Sequence, residues 1–546
     1  MEISRNMLCV KSIPGFALAT IVSFLASILA VWLGENILGF EKSPISEIMM
    51  AIILGMLVAN TIDLPDYFGS GLKFCTSFIL RFGIMLLGIR LSLFSAGKFT
   101  LIAIPFVLAS ITVGLLIVRF LGRKMNLSLQ LTGLIAIGKN SDLKIVHEGC
   151  KYPDSLGLLY SAITAYLGWR HHCDEGIVMG LATYGDSNNR LPGQQTTYKE
   201  IFSQIIEVTN SYSYHINREW IAYHRKRDTW VSDKFIEVFG PGRGSDSEIN
   251  QHHMDIAAGL QDRLETIVVD QLRHARDSTS LTKLCLSGGV ALNCSMNGKI
   301  EQSNLFDEIF VQPASGDAGV AAGACYLAQK VQHPDLRPKK MYNFFLGSKF
   351  DDHEVRTAFS EAGIDPQESS DLSRTIAKKL HDGKIIGWFQ GGAEFGPRAL
   401  GNRSILTRPF PAGMKDYLNA RVKFREEFRP FAPAILVEHY QEFFSIGQQS
   451  PHMLIACQAT EKAKKEIPAT VHVDDSCRVQ TVTPELNPPF YALLEAFYEE
   501  SGCPVLLNTS FNIKGQPIVN TPKQAIECFL GTKIDCLVIG SYFLEK

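Results

Sequence analysis

The chain has 546 residues, enough for about three or four domains that each bury a hydrophobic core. Its 53 Lys+Arg against 55 Asp+Glu leave a formal net charge of −2, so the overall charge gives no sign of a nucleic-acid partner, and we predict none. The 12 cysteines are scattered without a Cys-x-x-Cys pair, which predicts reduced thiols and disfavours a zinc or disulfide framework.

The first part of the chain is unusually apolar. Residues 14–34 carry no charge over 21 positions, enough to cross a bilayer once as a helix. Further apolar runs at 48–62, 74–89 and 100–118 raise the prediction to about four transmembrane helices. Basic residues at both ends, from Arg5 and Lys11 to Arg119 and Arg123, predict that both ends face the cytoplasm. A cleaved signal peptide is disfavoured because no small-x-small site follows residue 34.

The segments PISEIMMAIILGMLVANTI and RFGIMLLGIRLSL resemble a family of bacterial inner-membrane proteins assigned to sulfate export. The resemblance covers about 135 residues and fewer than half of that family's helices. Apolar character stops at Gly138, and ordinary soluble sequence follows without a Gly/Ser/Pro linker. We therefore place a boundary at residue 138 and interpret it as a fused or rearranged reading frame.

From residue 139 onward, strand-like runs alternate with helical ones, a pattern that predicts an α/β fold. Predicted strands cover 284–287, 309–311, 385–389 and 536–539. Turns of small residues follow the first three, so binding sites are expected at those strand ends.

Two of these turns have features of a nucleotide site. Gly288 and Gly289 lack Cβ atoms and precede a helix with Asn293, so a phosphate or adenine can approach the backbone. A purely structural tight turn explains this pattern equally well. In the second turn, with Gly316, Asp317 is either a metal ligand or the cap of a helix that starts at Ala318. The two turns lie about thirty residues apart and resemble the nucleotide clamp of actin-like ATPase domains.

A third group of residues consists of cationic side chains that stand among apolar and glycine neighbours. Such cations are costly to desolvate unless they meet an anion, and Arg matches phosphate oxygens bidentately, which favours a phosphate-type site. Asn508, Thr509 and Ser510 follow a predicted strand at 505–507 and could donate to the same ligand. The alternative is structural pairing with Glu394, Glu426 and Glu427. The cations are Arg398, Arg403, Lys423, Arg425, Arg429 and Arg478.

The strings LCLSGGVALNCSMNGKI, VQPASGDAGVAAGA, GWFQGGAEFGPRALGNRSI, KFREEFRPFAP, RVQTV and LNTSFN closely resemble the O-carbamoyltransferases of antibiotic and nodulation-factor biosynthesis. The segments DSLGLLYSAITAYLGW and DEGIVMGLATYG upstream match as well, and the resemblance runs from Asp154 to the C-terminus. It implies an incomplete actin-like ATPase domain at 139–346 and an α+β, YrdC-like adenylate-forming domain at 347–546. A small all-α transmembrane segment, 1–138, precedes them.

The resemblance also implies a chemistry, in which ATP and carbamoyl phosphate form carbamoyl adenylate and the carbamoyl group passes to the hydroxyl of a small acceptor alcohol. The implied cofactors are Mg²⁺ and a divalent iron-type metal, with Asp317 as metal ligand. Anion-binding and catalytic roles carry over onto Arg398, Lys423, Arg429, Arg478, Asn508 and Ser510. Nucleotide contacts are expected from Gly288, Gly289, Asn293, Gly316 and Arg403.

The chain departs from this family at the metal site. The family's His-His-x-x-His motif is absent, and the pairs His171-His172 and His252-His253 lack a third histidine and are interpreted as solvated surface residues. An incomplete ligand set predicts impaired transfer. An inactive fusion remnant and a membrane transporter fragment are the alternatives. We expect attachment to the inner membrane through 1–138 with a cytoplasmic catalytic region, or a cytoplasmic protein if that segment is spurious, and a homodimer is one assembly considered.

Overall fold

The computed structural model describes residues 2–33, isolated positions between 50 and 75, and residues 132–139, 142–336, 343–426 and 428–546. The chain divides into two compact units, Met1–Leu129 and Gln130–Lys546. In the first unit, a helix spans Glu2–Trp32 and contains Pro14. Its part Pro14–Trp32 is long and apolar enough to cross a membrane, by length and composition. The predicted apolar segments at 48–62, 74–89 and 100–118 lie wholly or largely outside the described residues.

The predicted boundary at residue 138 falls within a strand of the second unit. β1 (Thr132–Lys139) pairs antiparallel with β2 (Asp142–Lys151), and Gly138 is the partner of Leu143. The apolar sequence before Gly138 thus forms one arm of a hairpin. β2 leaves Leu143 79% exposed.

The region after this hairpin is mainly helical. A short antiparallel pair, β3 (Ile206–Asn210) and β4 (Ser213–Ile216), and a parallel pair, β5 (Lys283–Leu286) and β6 (Glu308–Val311), are its strands among the described residues. The last two confirm the strands predicted at 284–287 and 309–311. The helices span Leu156–Tyr166, Glu175–Leu181, Tyr198–Ile205, Asp233–Phe239, Gln251–Thr279, Cys294–Gln302 and Ala318–Gln332.

The C-terminal region is built on an eight-stranded mixed sheet. Strand order is β14-β10-β15-β9-β8-β16-β17-β7, with β10/β14 and β8/β16 parallel and the other neighbours antiparallel. The strands are β7 (Gln367–Glu368), β8 (Ile386–Phe389), β9 (Arg403–Thr407), β10 (Ala432–Leu436), β14 (Gln480–Val482), β15 (Val505–Ser510), β16 (Cys536–Ile539) and β17 (Tyr542–Glu545). A small antiparallel sheet contains β11 (Phe444–Ser445), β12 (Cys457–Ala459) and β13 (Ser476–Cys477).

Seven helices of this region accompany the sheet in the described part of the chain: Asp352–Glu361, Leu372–His381, Met414–Leu418, Tyr440–Phe443, Glu461–Glu466, Pro488–Ser501 and Pro522–Leu530. One hydrophobic core runs through the helical region and the sheet, since Ile163, Phe202, Trp388 and Leu493 belong to the same buried cluster. The predicted mixed α/β class is confirmed for this unit, and the two regions fold against each other.

Candidate anion-binding site

One edge of the large sheet collects the ends of several strands that carry predicted site residues. β10 and β14 both begin there, and the antiparallel β15 ends there. Asn508 of β15 is the partner of Ala432 at the start of β10, and Ser510 is the partner of Ser404 at the start of β9. Loops entering these strands carry Arg398, Arg429 and Arg478. The topology therefore brings together residues that are up to about a hundred positions apart in sequence.

The loop between β8 and β9 is shaped by a carboxylate. Glu394 Oε1 accepts hydrogen bonds from the backbone N–H groups of Leu400, Asn402 and Arg403 at 2.8, 2.8 and 3.0 Å. The alternative of an ion pair between Glu394 and an arginine of the site is not what the structure shows. The Glu394 carboxylate therefore organises the loop and does not act as a counter-ion for Arg398.

Two of the arginines have unmet hydrogen-bonding capacity. The Nε atoms of Arg398 and Arg478 are buried and have no hydrogen-bond partner among the described residues. Buried guanidinium nitrogens are normally bonded, because an unmet donor costs about 1–3 kcal/mol. Unpartnered buried donors on two neighbouring cations are the arrangement expected where an anion binds.

The remaining cations of the loop 424–430 are only partly compensated. Arg429 lies 3.6 Å from Glu426, which also pairs with Lys514 at 3.2 Å. Arg425 stacks over the ring of Phe431 and donates to backbone and amide oxygens. Glu427, the third acidic residue considered as a structural partner, lies outside the described residues.

The pKa values of these arginines reflect burial and mutual repulsion. Burial, with Arg478 as the next cause, lowers the pKa of Arg398 to about 9. Burial also lowers the pKa of Arg425 to about 9, with Arg429 and Arg478 contributing. The pKa of Arg429 is lowered by burial and raised in part by Glu426. All three remain protonated at pH 7, so the cluster is a concentrated positive charge in partly desolvated surroundings.

Lys423 is held differently from the arginines. Its Nζ donates to Ser510 O and Oγ at 2.7 and 3.1 Å and to Asn512 O and Oδ1 at 3.0 and 2.7 Å. Burial, then Arg425 and Arg429, lowers its pKa well below the usual value. Lys423 therefore fixes the end of β15 beside the arginine cluster and orients Ser510.

Asn508 belongs to a series of buried, hydrogen-bonded side-chain amides, and the sequence did not predict this series. Its Nδ2 donates to Gln480 Oε1 at 2.9 Å, and Gln480 Nε2 donates to Leu400 O at 2.8 Å. Asn508 Oδ1 is buried without a partner in the described part of the chain. These hydrogen bonds connect β14, β15 and the loop that carries Arg398. Gln480 lies within the motif RVQTV, but sequence alone gives no reason to connect it with Asn508.

Arg403, predicted as a nucleotide contact, is fully buried in this structure. Its NH1 and NH2 groups donate to the main-chain carbonyls of Gln390, Gly391, Asn402 and Ser348, and its guanidinium stacks 3.5 Å from the centroid of the Phe389 ring. Its NH1 and NH2 groups thus hold loops together, while its Nε is buried without a hydrogen-bond partner among the described residues.

The two predicted nucleotide turns are exposed. Gly288 has a positive φ of 101°, and a Cβ there or at Gly289 would meet no atom within 4 Å. That space permits a ligand, and the nucleotide role of these glycines stays a prediction. Asn293, by contrast, caps the helix Cys294–Gln302 and exchanges two hydrogen bonds with Gln261. Gly316 lies in the turn before the helix Ala318–Gln332.

Asp317, the predicted metal ligand, has no companion ligands among the described residues. Asp317 is exposed and precedes the helix Ala318–Gln332 without a side-chain capping bond. The described residues contain no group of three or more His, Cys, Asp or Glu side chains that could hold a metal ion. His171 and His172 are exposed as predicted, whereas His252 is half-buried and bonds to Tyr198 and Phe239. The residues present therefore do not fit an iron-type ion.

The arginine loop is connected to the helical region through one buried histidine. His472 Nε2 donates to Phe428 O at 3.0 Å, and its Nδ1 lies 3.1 Å from Thr183 Oγ1. The Phe428 ring packs edge-on against Trp169 and Tyr184. Residues of both regions thus position Arg429.

Taken together, the strand ends of the large sheet gather several cations beside the helical region, and two of these cations, Arg398 and Arg478, have buried Nε atoms without a partner among the described residues. A family model described as "Carbamoyltransferase C-terminus" matches residues 377–546, and "Carbamoyltransferase N-terminus" matches residues 128–326. "Conserved hypothetical protein 698" matches residues 14–140. The chain belongs to the carbamoyltransferase family, which confirms the resemblance to O-carbamoyltransferases and identifies the chain as an enzyme of that type.

Curated relatives agree with this assignment. The chain is 37% identical over 430 residues to uncharacterized protein sll1178 of Synechocystis sp., covering 73% of this chain and 68% of that protein. It is 38% identical over 424 residues to nodulation protein NolO of Bradyrhizobium diazoefficiens, covering 76% and 73%. It is 30% identical over 373 residues to 3'-hydroxymethylcephem-O-carbamoyltransferase of Streptomyces clavuligerus, covering 68% and 65%.

Among solved structures, full-length HypF in its phosphate- and nucleotide-bound form aligns with 31% of this chain and 22% of that chain. The TM-score is 0.22 and the sequence identity is 18%. A likeness at this level carries no argument about fold or ligand.

Proposed function

We propose that the chain converts carbamoyl phosphate, ATP and water into carbamoyl adenylate, phosphate and pyrophosphate, and then transfers the carbamoyl group to an acceptor hydroxyl. In this proposal, residues 347–546 act as a YrdC-like, adenylate-forming domain, and residues 139–346 correspond to part of an actin-like domain. Family membership supports carbamoyl transfer in general, and the sheet edge supports the adenylate-forming step.

The observation that carries the proposal is the pair of buried, unpartnered Nε atoms on Arg398 and Arg478. Both reactants are rich in phosphate oxygens, and carbamoyl adenylate keeps one phosphate. A planar guanidinium can donate two parallel hydrogen bonds to such a group. A site whose donors are already desolvated needs little reorganisation when the anion arrives, which is how such clusters stabilise developing charge.

Each residue of the site has a defined task in this proposal. Arg398, Arg429 and Arg478 bind phosphate oxygens and neutralise the charge that develops on the leaving pyrophosphate. Lys423 fixes the end of β15 through Ser510. Asn508, bonded to Gln480, positions the loop that carries Arg398.

No step of the proposed mechanism uses a bound iron-type metal, because Asp317 lacks companion ligands among the described residues. Mg²⁺ would enter with ATP as part of the substrate. The proposed nucleotide contacts at Gly288, Gly289 and Gly316 are kept as secondary predictions.

The test measures pyrophosphate and AMP formed by the full-length chain in detergent, with and without carbamoyl phosphate. Arg398→Ala and Arg478→Ala are each expected to reduce product formation by about a hundredfold or more, since each removes charge that meets the developing anion. Arg374→Ala is the matched control, because Arg374 is an exposed arginine of the same region that pairs with Glu499. Undiminished activity in both site variants would refute the proposal.

We also propose that the helix containing Pro14–Trp32 attaches the chain to the inner membrane, with the carbamoyltransferase region in the cytoplasm. Its length and apolar composition and the separate family match to residues 14–140 support this. Deletion of residues 1–129, which removes all four apolar runs, is expected to move the chain from an alkali-resistant membrane fraction to the soluble fraction. A full-length chain that is released by alkaline carbonate would contradict the proposal.

A further inference from the structure

A second site lies next to the arginine cluster. A cavity of about 270 Å³ opens between the helices Gln251–Thr279 and Cys294–Gln302, the segment 179–187, and strands β12 and β13. This volume is close to the lower end of ordinary small-molecule pockets. Its lining combines apolar surface with polar side chains, which include Gln261, Asp262, Glu265, Lys299, Gln458 and Asp474.

The carboxylates of the cavity decide what it can hold. Asp262 lies 3.3 Å from Lys199, and Asp474 accepts hydrogen bonds from Ser476. Glu265 Oε1 accepts one hydrogen bond, from Gln261 Nε2 at 2.7 Å. Carboxylates and amides are good partners for hydroxyl groups, whereas a second anion would be repelled. The lining therefore favours a hydroxyl-rich molecule without negative charge.

The cavity shares walls with the arginine cluster. Met179 lines it, and a Cβ added to the next residue, Gly180, would lie 3.8 Å from the ring of Pro430, which follows Arg429. Thr183 also lines it and lies against His472, which bonds to the main chain beside Arg429.

Strands β12 and β13 also connect the cavity to the arginine cluster. Cys457 lines the cavity and is the register partner of Cys477, the residue before Arg478. Three elements thus carry cavity residues on one side and arginine-site neighbours on the other. A molecule in the cavity would lie near a group bound to the arginines.

We propose that this cavity is the acceptor pocket, that it binds a hydroxyl-rich and non-anionic molecule, and that Glu265 takes the proton from the reacting hydroxyl. This inference rests on the proposed function. The acceptor oxygen forms a bond to the carbamoyl carbon, the bond between that carbon and the phosphate oxygen of carbamoyl adenylate breaks, and AMP leaves with the electron pair. The hydroxyl proton moves to the Glu265 carboxylate.

The chemistry of Glu265 suits this task. Burial raises its pKa, while the hydrogen bond from Gln261 and the charge of Lys299 lower it in part. A carboxylate with a raised pKa is a better proton acceptor than an exposed one. Asp270 lies on the same helix, is exposed, and pairs with Arg273 at 2.6 Å, so it provides a matched position for charge removal.

The experiment uses the full-length chain in detergent, ¹³C-labelled carbamoyl phosphate, ATP and methyl β-D-glucopyranoside as the acceptor probe. Glu265→Gln keeps the shape and the hydrogen bond from Gln261. It is expected to lower formation of the carbamoylated glucoside by about a hundredfold, while formation of pyrophosphate changes less than twofold. Asp270→Asn is expected to change neither reaction.

Binding of the probe is measured separately by saturation-transfer NMR, which needs no turnover. Ser295→Trp places an indole in the cavity and is expected to abolish binding of the glucoside. Binding that persists in this variant, or no binding by the unmodified chain, overturns the pocket assignment. Full transfer by Glu265→Gln overturns the role of Glu265. Absence of pyrophosphate formation in the unmodified chain instead refutes the proposed function, and the binding result still decides the pocket.

Discussion

Replacing Arg398 by methionine is expected to stabilise the fold while it destroys the anion site. Burial and neighbouring arginines lower the pKa of Arg398 from its usual value to about 9. Taken at face value, this corresponds to about 5 kcal/mol of lost folding free energy at pH 7, where the group is charged in both the folded and the unfolded chain. Because Arg398 is partly exposed, solvent screening reduces this, and we expect Arg398→Met to raise the free energy of unfolding by about 1–2 kcal/mol.

The pH dependence of the free energy of unfolding shows whether the buried charge of Arg398 destabilises the fold. Above about pH 9, the folded chain releases the Arg398 proton before the unfolded chain does, so rising pH relieves the cost in the unmodified protein. The advantage of Arg398→Met is therefore complete at pH 7 and shrinks above pH 9.

The assay is urea unfolding followed by tryptophan fluorescence, since Trp388 is buried in the same sheet. Arg374→Met is the surface control and should stay within about 0.5 kcal/mol of the unmodified protein. Pyrophosphate at about a hundred times its dissociation constant should stabilise the unmodified chain by about 2.7 kcal/mol and leave Arg398→Met unaffected. A loss of more than about 1 kcal/mol in Arg398→Met without ligand would refute the reasoning, because it would show that the guanidinium makes a stabilising contact.

Three further substitutions are tested by the same unfolding assay. Gly401→Ala should lower the free energy of unfolding by about 2 kcal/mol or more, because φ is +100° and a Cβ would lie 2.2 Å from the buried Phe490 ring. Gly515→Ala, where φ is +81° and the space is open, should lower it by about 1 kcal/mol, and equal effects of the two substitutions would contradict the packing argument. His472→Ala should cost about 1–3 kcal/mol, with His472→Gln recovering part of it, and an unchanged alanine variant would show that its two contacts are dispensable. Leu327→Glu should change stability by less than about 0.5 kcal/mol, because Leu327 is 65% exposed; a large loss would mean that another surface covers it.

The sequence predicted several strands of the two regions and the cations at one end of the large sheet because both signals are local. Hydrophobic runs bounded by small residues located β5, β6, β8 and β16 to within a residue or two. Cations in an apolar context pointed to an anion, and Arg398 and Arg478 now show unpartnered buried donors.

Other features depend on contacts between distant segments and could not be read from local pattern. Glu394 was considered as an ion-pair partner, but it binds three backbone amides of its own loop. Arg403 looked like its neighbours in sequence, yet its side chain is fully buried and main-chain carbonyl groups accept from its NH1 and NH2 groups. The boundary predicted at residue 138 falls within β1, and the separate family match to residues 14–140 ends two residues after it.

Exchange of labelled pyrophosphate into ATP by the full-length chain tests the central claim most directly, because exchange requires reversible formation of an adenylate at the arginine cluster. The account predicts exchange that depends on carbamoyl phosphate, persists in Arg374→Ala and is lost in Arg398→Ala and Arg478→Ala. Folded chain that shows no exchange, or exchange that survives both site substitutions, would contradict it.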